Sequence, residues 1–399
     1  MRILIVSFYY YPEVGAAPSR ITNMAQGLRQ RGVEVDVLTC LPNYPKGRIF
    51  EGYRHCFSKK EIVNDVNVFR YWTYATVARS RGKRLLSMFS FAFTLWAFAW
   101  RVRRILNYDC VIVQSPPLPV ACSVHILFGL LMRRCVILNV SDLWPESAVR
   151  IGAVTVGSLP WRILCSMEKF AYHKAKAIQG QSQPILDHIA SIVPEKPLFL
   201  YRNLQPATHR EALITPPSGN ILRLVYAGLL GEAQDMAGIV REINFKSLGA
   251  ELHIYGGGTQ CKQVEQAASE KRGVYYHGVL SKSEVGRILP SFDAGIVPLA
   301  KDIPGAVPSK IFDLMAAGVP VFYCGEGEAR TIVQQYGIGY VSPPGDHNAL
   351  AANISRMIAL DKEERQQMHK RTEDAAKGDF SQERQIEHYA AFLKKIIKR

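Results

Sequence analysis

The chain lacks most of the features by which metals and redox cofactors announce themselves. Its eight cysteines, at 40, 56, 110, 122, 135, 165, 261 and 324, form no C-x-x-C pair and no Cys/His cluster, so neither a disulfide framework nor a zinc site is expected. There is no D-x-D pair, and no metal is expected to be required. The first strand-to-helix turn lacks G-x-G-x-x-G, which argues against a bound dinucleotide and leaves the cofactor expectation at none. The opening MRILIVSFYYYP has no basic segment ahead of an apolar run; it reads as a buried strand, not a signal peptide, and points to a reducing cytoplasm. Acidic residues are scarce in one half only. Residues 1–200 hold 25 Lys+Arg against 12 Asp+Glu, residues 201–399 hold 24 against 22, and residues 66–108 hold no acidic residue at all. That imbalance predicts an anionic partner for the first half: a membrane surface, a lipid diphosphate or nucleic acid. The absence of interleaved aromatic and basic residues sets nucleic acid aside.

What is present organises around PGAVPSKIFDLMAAGVP, residues 304–320. Pro308 and Ser309 read as a helix start with Ser309 as a possible cap, and Ile311, Phe312, Leu314 and Met315 supply an apolar stripe. Gly318 ends the helix and a short buried strand follows. A helix start aims free N–H groups and the positive end of a dipole at whatever lies before it. Cations are disfavoured there, so Lys310 in the first turn implies a bound anion. Asp313, one turn on, can accept hydrogen bonds from sugar hydroxyls. An anion clamp beside a hydroxyl acceptor suits a nucleotide-sugar diphosphate, although a capped helix with two exposed charges would look the same.

At 399 residues two domains are expected: 1–204, a linker at 205–220, 221–380, and a last helix, 381–399, packing back on the first domain. The first domain opens with strand, loop, helix and strand over residues 3–38, a βαβ unit. In its loop Gly15 permits close ligand approach, and Arg20 in the first helical turn reads as a second diphosphate contact. Strands are predicted at 66–71, 110–114 and 135–140, and the last runs into SDLWPES. Ligands of open α/β sheets bind beyond the carboxyl ends of strands, which favours a catalytic role for Asp142 over a helix cap, with Glu146 a second carboxylate nearby. Arg202 and Asn203 end a later strand and face the presumed cleft. The second domain repeats the strand–turn–helix pattern, with Gly228 and Gly231, then Gly256 and Gly257, at strand ends.

Residues 79–104 are distinctive. Arg79, Arg81, Lys83 and Arg84 precede sixteen largely apolar residues, Leu85 to Trp100, and Arg101, Arg103 and Arg104 follow. The run is shorter than the ~20 residues a bilayer-spanning helix needs. Basic flanks with Trp96 and Trp100 suit a helix lying on anionic lipid; a buried helix of the doubly wound fold fits as well.

YYYPEVGAAPSR, SDLWPES, YRN, LVYAGLLGEAQ, HIYGGG, HGVLSKSEV and VPSKIFDLMAAGVPVF, in this order, resemble the GT-B glycosyltransferases of family 4, the retaining enzymes, over essentially the whole chain. DLWPES, GEAQ and PSKIFDLMAAG look like the branch containing bacterial N-acetylfucosamine transferases of O-antigen and capsule assembly. The resemblance implies an α/β fold of two doubly wound Rossmann-like domains facing a central cleft. It also implies a UDP-sugar donor, a lipid-linked glycan acceptor and a place on the inner face of the cytoplasmic membrane. Gly15 would approach the diphosphate, Lys310 and the helix from Ser309 would hold its charge, and Asp313 would bind the ribose. The backbone near Val279 and Leu280 would read the base, and Asp142 would lie beside acceptor and donor sugar. Three family positions differ: a Glu falls on Gly305, an Arg on Leu229 and a Lys on Gln234. Arg20, Arg202 and Lys310 would have to compensate. Two rivals fit parts of the pattern: a UDP-sugar 2-epimerase on the same architecture, and a non-catalytic lipid binder.

Overall fold

A computed structural model describes residues 1–44, 47–76, 81–102, 107–150, 152–206, 221–270, 272–301 and 307–398, and gives the backbone alone for Arg81, Arg84, Leu85 and Val102. Arg79, Arg103, Arg104, Gly305 and most of the expected linker, 207–220, lie outside the described residues. The chain divides into two units, one of residues 1–203 with 383–399 and the other of 204–382.

The first unit is built on β1 (Arg2–Val6), β2 (Glu34–Cys40), β3 (Ser58–Val63), β4 (Val66–Tyr71), β5 (Cys110–Ser115), β6 (Cys135–Val140), β7 (Ala177–Gly180) and β8 (Leu198–Leu200). They lie in the order β3-β4-β2-β1-β5-β6-β7-β8, parallel throughout except for the β3–β4 hairpin. Ile3, Leu4, Ile5 and Val6 are all fully buried, as a strand covered on both faces requires. The second unit holds β9 (Leu222–Ala227), β10 (Ala250–Tyr255), β11 (Val274–Tyr276), β12 (Ala294–Pro298), β13 (Val321–Cys324) and β14 (Gly339–Ser342), all parallel, in the order β11-β10-β9-β12-β13-β14. Apart from the β3 hairpin, both sheets therefore run outward in two directions from a central pair. The strand order reverses between β1 and β5 in one unit and between β9 and β12 in the other. Such reversal points leave a crevice at the carboxyl ends of the strands where ligands bind. The α/β class and the doubly wound pattern agree with the sequence expectation; β3 and β14 were not foreseen.

The helix Gln382–Lys398 buries Ile386, Tyr389, Leu393 and Ile396 in the core of the first unit, against Ile21, Met24 and Tyr201. The apolar segment forms a 22-residue helix, Arg81–Val102. Phe91, Leu95 and Phe98 enter the core, while Leu86, Phe89, Phe93, Trp96 and Trp100 repeat every three or four residues on the outside. Phe93 is 77% and Trp100 71% exposed. Lys83 and Arg101 flank this stripe in solvent. Among the described residues no helix is long and apolar enough to cross a membrane.

Candidate active site

In the second unit the reversal point is formed by main chain. β9 ends at Ala227 and Gly228 follows; a Cβ there would stand 2.0 Å from Cε of Lys310. Gly228 is thus the space into which the Lys310 side chain folds, with Nζ 5.7 Å from the Tyr226 ring centroid. Gly256, after β10, comes closer still: a Cβ would lie 1.8 Å from the Gly228 carbonyl oxygen. The Gly228 and Leu230 N–H groups donate to the Tyr255 and Gly257 carbonyls at 2.8 and 3.0 Å, locking the two loops together. Gly257 faces Val279, which is 74% exposed at the rim beside the half-buried Leu280.

The helix Ser309–Ala316 begins at this edge. Its N-cap is Pro308, with no side-chain cap, so Ser309 is the first helical residue and not the cap expected from sequence. Ile311, Phe312, Leu314 and Met315 bury the stripe that holds the helix in place, and Gly318, in the left-handed region, ends it with N–H donation to Met315. Asp313 sits between two lysines. Burial raises its pKa, opposed by Lys282 and Lys310. Burial lowers the Lys310 and Lys282 pKa values, each opposed by Asp313. Among the described residues, two cations and one carboxylate leave a net positive charge at a helix start without a side-chain cap, a fit for an anion.

Lys282 was missed from sequence. It opens the helix Lys282–Ile288, capped by Ser281 and Glu284, and only the fold brings it toward Asp313. Gln234, where the family pattern has a lysine, keeps a buried Oε1 without a hydrogen-bond partner among the described residues, and Gly231 lies against that oxygen. Leu229, in the arginine's place, is exposed.

In the first unit Asp142 follows β6 at the carboxyl edge. It is exposed, yet enough protein surrounds the carboxyl for desolvation to raise its pKa, with Arg20 and the Ser141 hydroxyl opposing. Arg20 does not stand where a diphosphate could reach it readily. It is 3% exposed, and its guanidinium donates to Gln181 and, at 3.2 Å, to Gln114. Burial lowers its pKa to about 10, with Asp142 and Tyr201 pulling the other way. Gln114 also accepts from Asn139 at 2.6 Å and donates to the Ser141 hydroxyl at 2.9 Å. Arg20 and these amides form a polar floor at the strand ends next to Asp142, of which the sequence singled out Arg20 alone.

Glu146 does not join Asp142 either. It turns to His188 at 3.7 Å and Arg150 at 3.6 Å, and His188 in turn meets the buried Glu168 at 3.2 Å. Gly15 caps the helix Ala16–Gln30 without a side chain. The loop before it is fixed by buried Glu13, whose carboxylate accepts N–H groups of Tyr10, Asn43 and Tyr44. Arg202 is tied through its backbone to Gln385 by two bonds of 2.8 and 2.9 Å.

Residues 15–199 match a family model described as a glycosyl transferase 4-like domain, and residues 223–359 one described as glycosyl transferases group 1. The chain is 28% identical over 301 residues to "Probable glycosyltransferase WbjE" of Pseudomonas aeruginosa, covering 71% of this chain and 75% of that one. It shares its fold with HepE of Anabaena in complex with UDP, at a TM-score of 0.68, 14% identity and 99% and 100% coverage of the two chains. The same holds for WaaG, a glycosyltransferase involved in lipopolysaccharide biosynthesis, at 0.63, 11%, 98% and 99%. With one glycosyltransferase model on each of its two doubly wound units, the chain belongs to the GT-B glycosyltransferases of family 4.

Proposed function

We propose that the protein transfers a sugar, of the N-acetylated deoxyhexosamine class, from a UDP-sugar to a lipid-linked glycan in bacterial surface polysaccharide synthesis, with retention at the anomeric carbon. The observation that carries this is Lys310, folded into the space left by Gly228 at an uncapped helix start beside Lys282 and Asp313. As the bond from the anomeric carbon to the diphosphate breaks, charge develops on the leaving oxygens. Fixed N–H dipoles and two ammonium groups stabilise that charge without reorganising and need no metal. The departing phosphate takes the proton of the acceptor hydroxyl as the new bond forms on the same face. Asp313 binds the ribose, and the main chain at Val279 and Leu280 reads the base. Asp142 orients the acceptor or steadies positive charge on the sugar, and Arg20 next to its carboxyl helps keep it ionised. That HepE binds UDP, and that WaaG acts in lipopolysaccharide biosynthesis, support the donor and the pathway class. The outward stripe of the Arg81–Val102 helix supports a seat on the inner face of the cytoplasmic membrane.

The test is UDP release from a panel of UDP-sugars mixed with purified protein and a membrane lipid extract, read by mass spectrometry. Release is expected to require the lipid and to survive EDTA. It should fall about 100-fold or more in Lys310→Ala and Asp313→Ala. Full activity in both variants would remove the donor site. Conversion of UDP-GlcNAc by protein alone, followed by NMR, would instead favour an epimerase.

A further inference from the structure

At the opposite end of the first sheet from Asp142 lies a hollow of about 770 Å³, open to solvent and lined by residues at the starts of β6 and β7 and by the end of the Gln382–Lys398 helix. Among the described residues, Arg133, Arg134, Lys174, Lys176 and Lys196 line it with a single carboxylate, Glu195. Lys196 is accounted for within the protein: its ammonium donates to the His173 and Ala175 carbonyls, each at 2.8 Å, at the end of the Leu159–Lys174 helix. The other four cations form no ion pair among the described residues. They are nonetheless crowded. Burial lowers the Lys196 pKa, and Lys176 and Lys174 lower it further against the pull of Glu195. His125 belongs to the same lining. It is 1% exposed, and among the described residues neither ring nitrogen has a hydrogen-bond partner, an arrangement that costs free energy unless something else supplies one.

Uncompensated cations around an unpartnered imidazole describe a site waiting for an anion with several acceptor oxygens. We infer that this hollow binds a phosphate-bearing group, at a place separate from the donor edge. Leu130 on its lining and Leu131 beside it are both exposed, so the phosphate of a lipid headgroup and a free phosphate share the same chemistry here. The inference does not depend on which sugar the enzyme transfers.

The experiment follows the His125 ring resonances of histidine-labelled protein, assigned by their loss in His125→Gln, as inorganic phosphate is added at 150 mM salt. This local reporter is blind to phosphate at Lys310. Saturable movement is expected, weakened at least tenfold in Arg133→Asn/Lys176→Ser and unchanged in Lys60→Ser/Lys169→Ser, which removes as much charge elsewhere on the same unit. Asn suits the left-handed backbone of residue 133, and Lys174→Ser serves as a milder single change should the pair fail to fold. Co-sedimentation with vesicles containing phosphatidic acid separates the sources. Loss in the hollow variant assigns a lipid phosphate, and retention with loss of inorganic phosphate binding assigns a free one; both support the site. No saturable movement, or equal movement in the hollow variant, overturns it.

Discussion

Gly228 and Gly256 shape the strand ends beside Lys310 at the scale of single residues, since each leaves room that another group occupies. Gly256→Ala drives a Cβ into a carbonyl oxygen that the surrounding strands hold fixed, and should lower stability by about 1–3 kcal/mol in urea melts. Gly228→Ala meets the flexible end of a side chain instead, so it should leave the melt nearly unchanged while displacing Lys310 and reducing UDP release. His188 gives a pH signature. Its pKa is raised, first by the hydrogen bond to Glu168, with burial opposing and the charges of Glu168 and Glu146 adding. A base with a folded pKa above its unfolded value of ~6.5 contributes stability fully below that value and loses it as pH rises through the folded one. The stability lost in His188→Gln should therefore be largest near pH 5.5 and small at pH 8.5 in denaturant titrations. The positions of Lys310 and Asp142 were legible in the sequence because one stands at the start of a helix and the other just past the end of a strand. The sequence hid Lys282 and the Gln114–Asn139–Gln181 floor because their roles arise only from which strands become neighbours. Arg20 misled for a related reason: its place in a first helical turn was legible, but the burial of that turn was not.

Among elements, the Arg81–Val102 helix turns one apolar face to the core and another to solvent. Phe91→Ala should cost ~3–5 kcal/mol, as a large cavity under the sheet does. Phe89→Ser/Phe93→Ser on the outer face should change stability by less than ~0.5 kcal/mol and still abolish most sedimentation with anionic vesicles. Retained sedimentation would dissociate the stripe from the membrane. From sequence the helix looked apolar on most sides, and that was correct; which side met the core required the packed sheet. Of the strands that were read ahead of the structure, β6 is a near-continuous apolar run, and β4 alternates Val66, Val68 and the buried Arg70 with Asn67, Phe69 and Tyr71. β3 reads SKKEIV, an edge strand with Lys60 exposed to water, and β14 reads GYVS, four residues long; neither carries enough apolar signal to be recognised alone.

For the molecule as a whole, the second unit is inserted within the first, since 383–399 return to the core begun by residues 1–203. Tyr389 and Leu393 are fully buried there, and each such side chain is worth about 1.5–3 kcal/mol. A chain ending at 382 should therefore lose the cooperative melt of the first unit, whereas the fragment 204–382 should melt cooperatively alone; circular dichroism of both fragments decides it. This arrangement also sets an order of events at the ribosome. The strands of the first unit emerge early but cannot close over their last helix until the whole second unit has been translated. The later-made half can therefore reach its native state first, and the strongly basic half matures last.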